Sequence, residues 1–156
     1  MAGTPIKMTD GCLCGAVRYE TMGESFKVLH CHCQSYRKHN GGSVVTLAGF
    51  KAGQVRFSGD ERKIYESSPG VGRAFCGKCG TPLTWEGDGG GRGPILELHI
   101  STFDNPNALK PSVHSFDAER IPWFDIADNL PRYEGLSGKS PLLRHGPAIE
   151  ESGKLQ

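Results

Sequence analysis

Six cysteines stand in three close pairs, Cys12/Cys14, Cys31/Cys33 and Cys76/Cys79, and thiols so closely spaced can bind a metal. A C-x-C or C-x-x-C pair holds two sulfurs on one short turn, facing a shared tetrahedral centre, which is the donor pattern of a zinc site. Two such pairs make a closed site. Cys76-Gly77-Lys78-Cys79-Gly80 has the form of a zinc knuckle, in which the glycines permit the tight turn, and the glycine-flanked Cys12-Leu13-Cys14 is its complement. The pairs lie 62 positions apart, so a metal held by them closes a long loop and its binding energy becomes folding energy. Four thiolates leave no vacant position for a substrate, so this centre reads as structural and inert.

The middle pair is either half of a second site or two ordinary cysteines. An extended backbone through Leu29–Tyr36 puts Cys31 and Cys33 on one face and His30 and His32 on the other. A helical turn beginning after Cys33 brings position 36 back to the side of the sulfurs, and position 36 is Tyr36. Other thiol chemistries fit less well. No βαβ pattern surrounds the C-x-x-C, which speaks against a thioredoxin-like pair, and C-x-C is cramped for an internal bridge.

The elements that position these residues read as short strands. Segments 15–20, 26–33, 43–50, 54–59, 63–68, 71–76, 82–87 and 95–101 are rich in β-formers and separated by turn signals, which predicts a mainly β chain of stacked antiparallel sheets. Val17 and Tyr19 alternate with Arg18 and Glu20 as in a half-buried strand. The stretch 34–42 predicts a short helical turn ended by Gly41 and Gly42. The glycine-rich 87–93 reads as a plain connector between strands. Length predicts one domain over 10–135, between an N-terminal tail, 1–9, and a polar, mobile C-terminal tail, 136–156.

Charge and hydropathy narrow the partners. Eighteen basic residues against seventeen acidic ones leave no global field, which argues against nucleic acid, although Arg37, Lys38 and His39 form a local basic group. No apolar run approaches the roughly 20 residues that span a bilayer, and no signal peptide is evident, so a cytoplasmic location without membrane attachment is expected. In that reducing compartment free or metal-bound thiols are favoured over disulfides.

Three ordered motifs, 11–19 (GCLCGAVRY), 31–42 (CHCQSYRKHNGG) and 75–85 (FCGKCGTPLTW), resemble the glutathione-dependent formaldehyde-activating enzyme family, related to centromere protein V. The closing segment 113–133 resembles that family's end, so the likeness spans roughly residues 10–134. It implies a β-tent fold and a structural zinc on Cys12, Cys14, Cys76 and Cys79. It also implies a second zinc at C-x-C-x-x-C, matched by Cys31 and Cys33 and departed from at Tyr36. The implied activity is that of a carbon–sulfur lyase interconverting S-(hydroxymethyl)glutathione with glutathione and formaldehyde.

Three thiolates leave one open coordination position, where an incoming thiol is deprotonated or an aldehyde oxygen polarised, and His32 and His39 are the nearest candidates for a general base. Each also reads as an ordinary packing or surface residue. Arg37 and Lys38 are candidate contacts for a glutathione carboxylate, or a solvated turn. A phenol with a pKa of about 10 ionises less readily than a thiol at about 8.5, so Tyr36 predicts a second site that is labile or empty. His39, Tyr36 or a bound thiol are the ways to complete it. The expected partners are therefore a small thiol such as glutathione and its aldehyde adduct. The alternative is a catalytically silent, zinc-stapled module for binding or scaffolding.

Overall fold

The structure, a computed structural model, describes residues 6–148. Among them, twelve strands and one α-helix follow in order: β1 (Lys7–Gly11), β2 (Val17–Met22), β3 (Lys27–Cys31), α1 (Gln34–Asn40), β4 (Val45–Lys51), β5 (Val55–Gly59), β6 (Lys63–Ser68), β7 (Val71–Phe75), β8 (Pro82–Gly87), β9 (Ile95–His99), β10 (Val113–Ser115), β11 (Pro131–Tyr133) and β12 (Leu142–His145). The protein is mostly β, as the turn-punctuated segments predict. No described helix is long and apolar enough to cross a membrane.

Where length suggested one domain, the chain gathers into two compact units, one of residues up to 27 with 47–110, the other of residues 28–46 with 111 onward. In the first unit every strand pair is antiparallel, in the orders β1-β2-β5 and β4-β9-β8-β7-β6. Val17 and Tyr19 of β2 are buried while Arg18 and Glu20 are not, the alternation read from sequence. They share the core of this unit with Leu47, Phe50, Leu83 and Leu98. Residues 87–93 are the connector expected, joining β8 to β9 as a hairpin.

The second unit runs β12-β11-β10-β3, and here β10 lies parallel to both β3 and β11. Its partners are far from it in sequence or reached by an irregular stretch, so no tight hairpin imposes the antiparallel sense. Helix α1 falls where predicted. Its N-cap is Cys33, whose sulfur accepts the Tyr36 N–H at 3.4 Å, and it ends at Gly41, whose N–H donates to the Arg37 carbonyl at 2.9 Å. Tyr36 is the one buried residue of the helix.

Both expected tails need correction. β1 begins at Lys7, so residues 7–9 are part of the fold and residues 1–5 lie outside the described residues. Residues 136–148 carry regular structure: Ser137 is buried against Ser115 at 2.8 Å, and β12 pairs antiparallel with β11. β12 is mostly exposed, so it shows no apolar period, and it is held by backbone bonds and by Arg144 against Asp117 at 2.7 Å. Residues 149–156 of the expected tail lie outside the described residues.

Candidate metal centre and histidine cluster

The outer cysteine pairs occupy two matching turns of the first unit. Cys12 and Cys14 sit in the turn between β1 and β2, and Cys76 and Cys79 in the turn between β7 and β8. Each turn is closed in the same way. The N–H of its first cysteine donates to the carbonyl five residues on, Cys12 to Val17 and Cys76 to Thr81, both at 3.0 Å. Gly15 (φ 76°) and Gly80 (φ 75°) then reverse the chain in the left-handed region, where a side chain would be strained although the space beside them is open.

The result is a convergent set of sulfurs. Cys12 and Cys14 stand 3.6 Å apart, Cys14 and Cys76 3.8 Å, and the four sulfurs lie within 4.8 Å of one another. Sulfurs on a tetrahedral zinc at about 2.3 Å are separated by about 3.8 Å, so the spacing fits such an ion. The four cysteines could therefore hold a metal.

Second contacts already favour the thiolate forms. The Val17 N–H donates to the Cys12 sulfur at 3.3 Å. Thr81 was not singled out by the sequence, yet its hydroxyl stands 3.1 Å from the Cys79 sulfur and accepts the Leu13 N–H at 3.1 Å, linking the two turns. The Thr81 hydroxyl and then its N–H bring Cys79 down to about 5. Burial opposes ionisation of Cys12, but the Val17 N–H and neighbouring thiols leave it lowered. Cys14 shows the limit: the Ala16 N–H favours its thiolate, yet the three surrounding sulfurs hold it up at about 11. Four thiolates in one cluster repel, and a cation is what lets all of them ionise.

The other predicted residues lie in the second unit. Cys31 is buried at the end of β3 and Cys33 is half-buried at the head of α1. Tyr36 returns to Cys33 through its backbone N–H. Among the described residues, no Cys, His, Asp or Glu joins Cys31 and Cys33 as a third member of a ligand cluster. His39 sits half-buried in the last turn of α1 and Lys38 is exposed beside it. Arg37 turns its guanidinium to the carbonyls of His32 and Glu119, so it braces α1 against the segment 117–119.

His32 has a different setting from the one a general base needs. It is buried, with its Nε2 2.8 Å from Nδ1 of His114 and the two rings stacked at 5.1 Å. His30 also meets His114, with ring centroids 4.8 Å apart. Burial, and then the charge of His114, push His30 and His32 down to about 4, so both rings are neutral and weakly basic at neutral pH.

Around His114 lies a charged network for which the sequence reading made no case. Asp128 stands 3.0 Å from His114 Nε2. Arg132 is wholly buried and reaches Asp125 at 2.7 Å, Asp117 at 3.3 Å and Asp128 at 3.4 Å. Phe116, at φ 55° the one described non-glycine residue with positive φ, turns the chain so that Asp117 enters this network. A sequence signal that could have found it is the His30-x-His32 alternation together with Asp125 and Asp128 three positions apart.

A mostly β fold whose paired turns gather four thiols defines a protein with a cysteine cluster that could hold a metal. The matching family is described as glutathione-dependent formaldehyde-activating enzyme, over residues 7–119, and the chain belongs to that family. Among solved structures, the crystal structure of a Rhodobacter sphaeroides protein, a Northeast Structural Genomics target, is similar with a TM-score of 0.54. The likeness covers 69% of this chain and 100% of that one at 18% identity, and so bears on the fold alone. No curated protein matches the chain.

Proposed function

We propose that the protein acts on the adduct of glutathione and formaldehyde as a carbon–sulfur lyase, with a reaction centre weakened at its metal. In the condensing direction the glutathione sulfur bonds to the carbonyl carbon of formaldehyde and the thiol proton passes to the carbonyl oxygen; cleavage reverses both transfers. Family membership supports the reaction class. The structural ion is read as zinc, one per chain, on Cys12, Cys14, Cys76 and Cys79, where four sulfurs offer no place for a substrate.

The reaction centre is read at Cys31 and Cys33. The carrying observation is that Cys33 heads α1 with Tyr36 in the next turn, where the family pattern has a third cysteine. A zinc bound there supplies Lewis acidity and lowers the pKa of a coordinated thiol. The chain's own groups hold and orient: Cys31 and Cys33 supply two sulfurs, and Lys38 is the exposed cation beside them in sequence for a substrate carboxylate. Arg37 is already engaged by two backbone carbonyls, so it positions α1. The low basicity of His32 disfavours it as the base and leaves that role to His39 or water.

The buried packing of Tyr36 also favours a second reading, a zinc-stapled module that binds a partner without turnover. Zinc counting together with turnover of glutathione and formaldehyde, on the native chain and on Tyr36→Cys, separates the two. A lyase with a damaged centre gives slow native turnover that rises in the variant. A silent module gives none in either. Equal, substantial turnover in both means that the third thiolate was never needed.

A further inference from the structure

We propose that His30, His114 and Asp128 form a metal site separate from both cysteine sites, binding one divalent first-row transition ion through two imidazoles and a carboxylate. One ligand atom from each residue falls within 4.8 Å of the others. Asp128 Oδ2 and His114 Nε2 stand 3.0 Å apart. Neighbouring donors about 2.1 Å from a common ion are separated by about the same distance.

Each ligand is also held from behind, as ligands of a built site are. His30 Nδ1 lies 2.8 Å from the Thr46 hydroxyl, which leaves Nε2 for the ion. His114 Nδ1 lies 2.8 Å from His32 Nε2. Asp128 Oδ1 accepts the Leu130 N–H at 3.0 Å. The proton balance closes within the cluster. On binding, the proton on His114 Nε2 is released, His114 Nδ1 takes the proton of His32 Nε2, and His32 takes one up at its own Nδ1, so the hydrogen bond between the two rings reverses while both stay neutral.

Arg132 is the nearest fixed positive charge, with Nη1 3.4 Å from His114 Nδ1 and Nη2 3.4 Å from Asp128. Its closest bond is to Asp125 at 2.7 Å, and Asp117 at 3.3 Å lies on the same Nη1, so Asp128 is the most distant of its three carboxylate partners. The overlapping set His32, His114 and Asp117 is a poorer candidate. All three are buried, and Asp117 is ion-paired with Arg144 and Arg132. His30 and Asp128 are half-buried, which gives an ion a way in. Two imidazoles and one carboxylate suit ions of the zinc and iron(II) type and leave coordination positions open.

The test uses Co²⁺ added to full-length protein whose four-cysteine centre is already filled with zinc, in a Cys31→Ser/Cys33→Ser background. The expected result is one further equivalent of Co²⁺ with weak visible absorption, no sulfur-to-cobalt charge-transfer band, and hyperfine-shifted ring N–H signals from two histidines. Asp128→Asn, which keeps the Leu130 contact, and His30→Ala should each weaken that binding at least tenfold, and Thr46→Val by about tenfold. The proposal falls if no further equivalent binds, or if both ligand variants keep native far-UV circular dichroism and bind Co²⁺ undiminished. Should the serine background fail to fold, the same titration on the native chain decides, since thiolate-bound cobalt is told apart by its charge-transfer bands.

Discussion

The backbone N–H of Tyr36 donates to the sulfur of Cys33 at 3.4 Å, so the residue proposed to stand in place of a third thiolate is already tied to the second one. Helix α1 therefore has the turn that returns position 36 to Cys33, and on the proposed reading the difference lies in the chemistry of the side chain. Tyr36→Cys should raise bound zinc from about one to about two ions per chain, measured by elemental analysis after dialysis. Tyr36 is buried, so the metal-free variant should lose about 3 kcal/mol of stability, with part of it regained on adding zinc. Two zinc ions on the native chain would sink this reading of Tyr36.

The sulfurs of Cys14 and Cys76 are 3.8 Å apart across 62 residues of chain. A structural zinc with its ligands is worth about 10–16 kcal/mol, more than most domains hold in reserve. Cys76→Ser should therefore leave the first unit largely unfolded at room temperature, and a strong chelator should do the same to the native chain. Circular dichroism and zinc content followed together check this. A cooperative melt that the chelator does not shift would mean that the cluster is not a staple.

The strands were legible because burial on one face leaves an alternating pattern, as in Val17 and Tyr19 of β2. The four-cysteine cluster was legible because a knuckle is local: glycines and thiols within five residues specify each turn, and only the pairing of the two turns is long-range. β12 was not legible, since Leu142 and Leu143 are exposed and Arg144 gains its meaning only from Asp117. The network around His114 escaped for the same reason. Arg132, Asp117 and Asp128 look like surface residues in sequence, and only the parallel placement of β10 beside β3 and β11 gathers them around His114.

Arg132 has no exposed side-chain surface and faces three carboxylates. Removing one partner of a buried ion pair leaves unpaired charge behind, at a cost of about 3–5 kcal/mol. Arg132→Met keeps much of the volume, so its loss should reflect chiefly the charge of Asp125, its closest partner, since Asp117 keeps Arg144. Urea denaturation at neutral pH should show a drop of that size. A loss below about 1 kcal/mol would show that the network adds little net stability.

Asp10 is buried at the end of β1, with Oδ1 accepting the Asp104 N–H at 3.1 Å and Oδ2 lacking a hydrogen-bond partner among the described residues. Burial raises its pKa from 3.8 to about 7, outweighing the Asp104 N–H and the nearby Arg18. Between those two values the folded chain holds a proton that the unfolded chain has released, so stability falls as pH rises through the window and levels off above about 7. Asp10→Asn removes this titration. Its stability relative to the native chain should therefore increase by about 2–3 kcal/mol from about pH 5 to about pH 8, at roughly 1.4 kcal/mol per pKa unit. The thiol cluster is the same in both chains, so its own titration cancels in the difference. A pH-independent difference in urea midpoints would place the folded pKa of Asp10 near that of an exposed carboxylate.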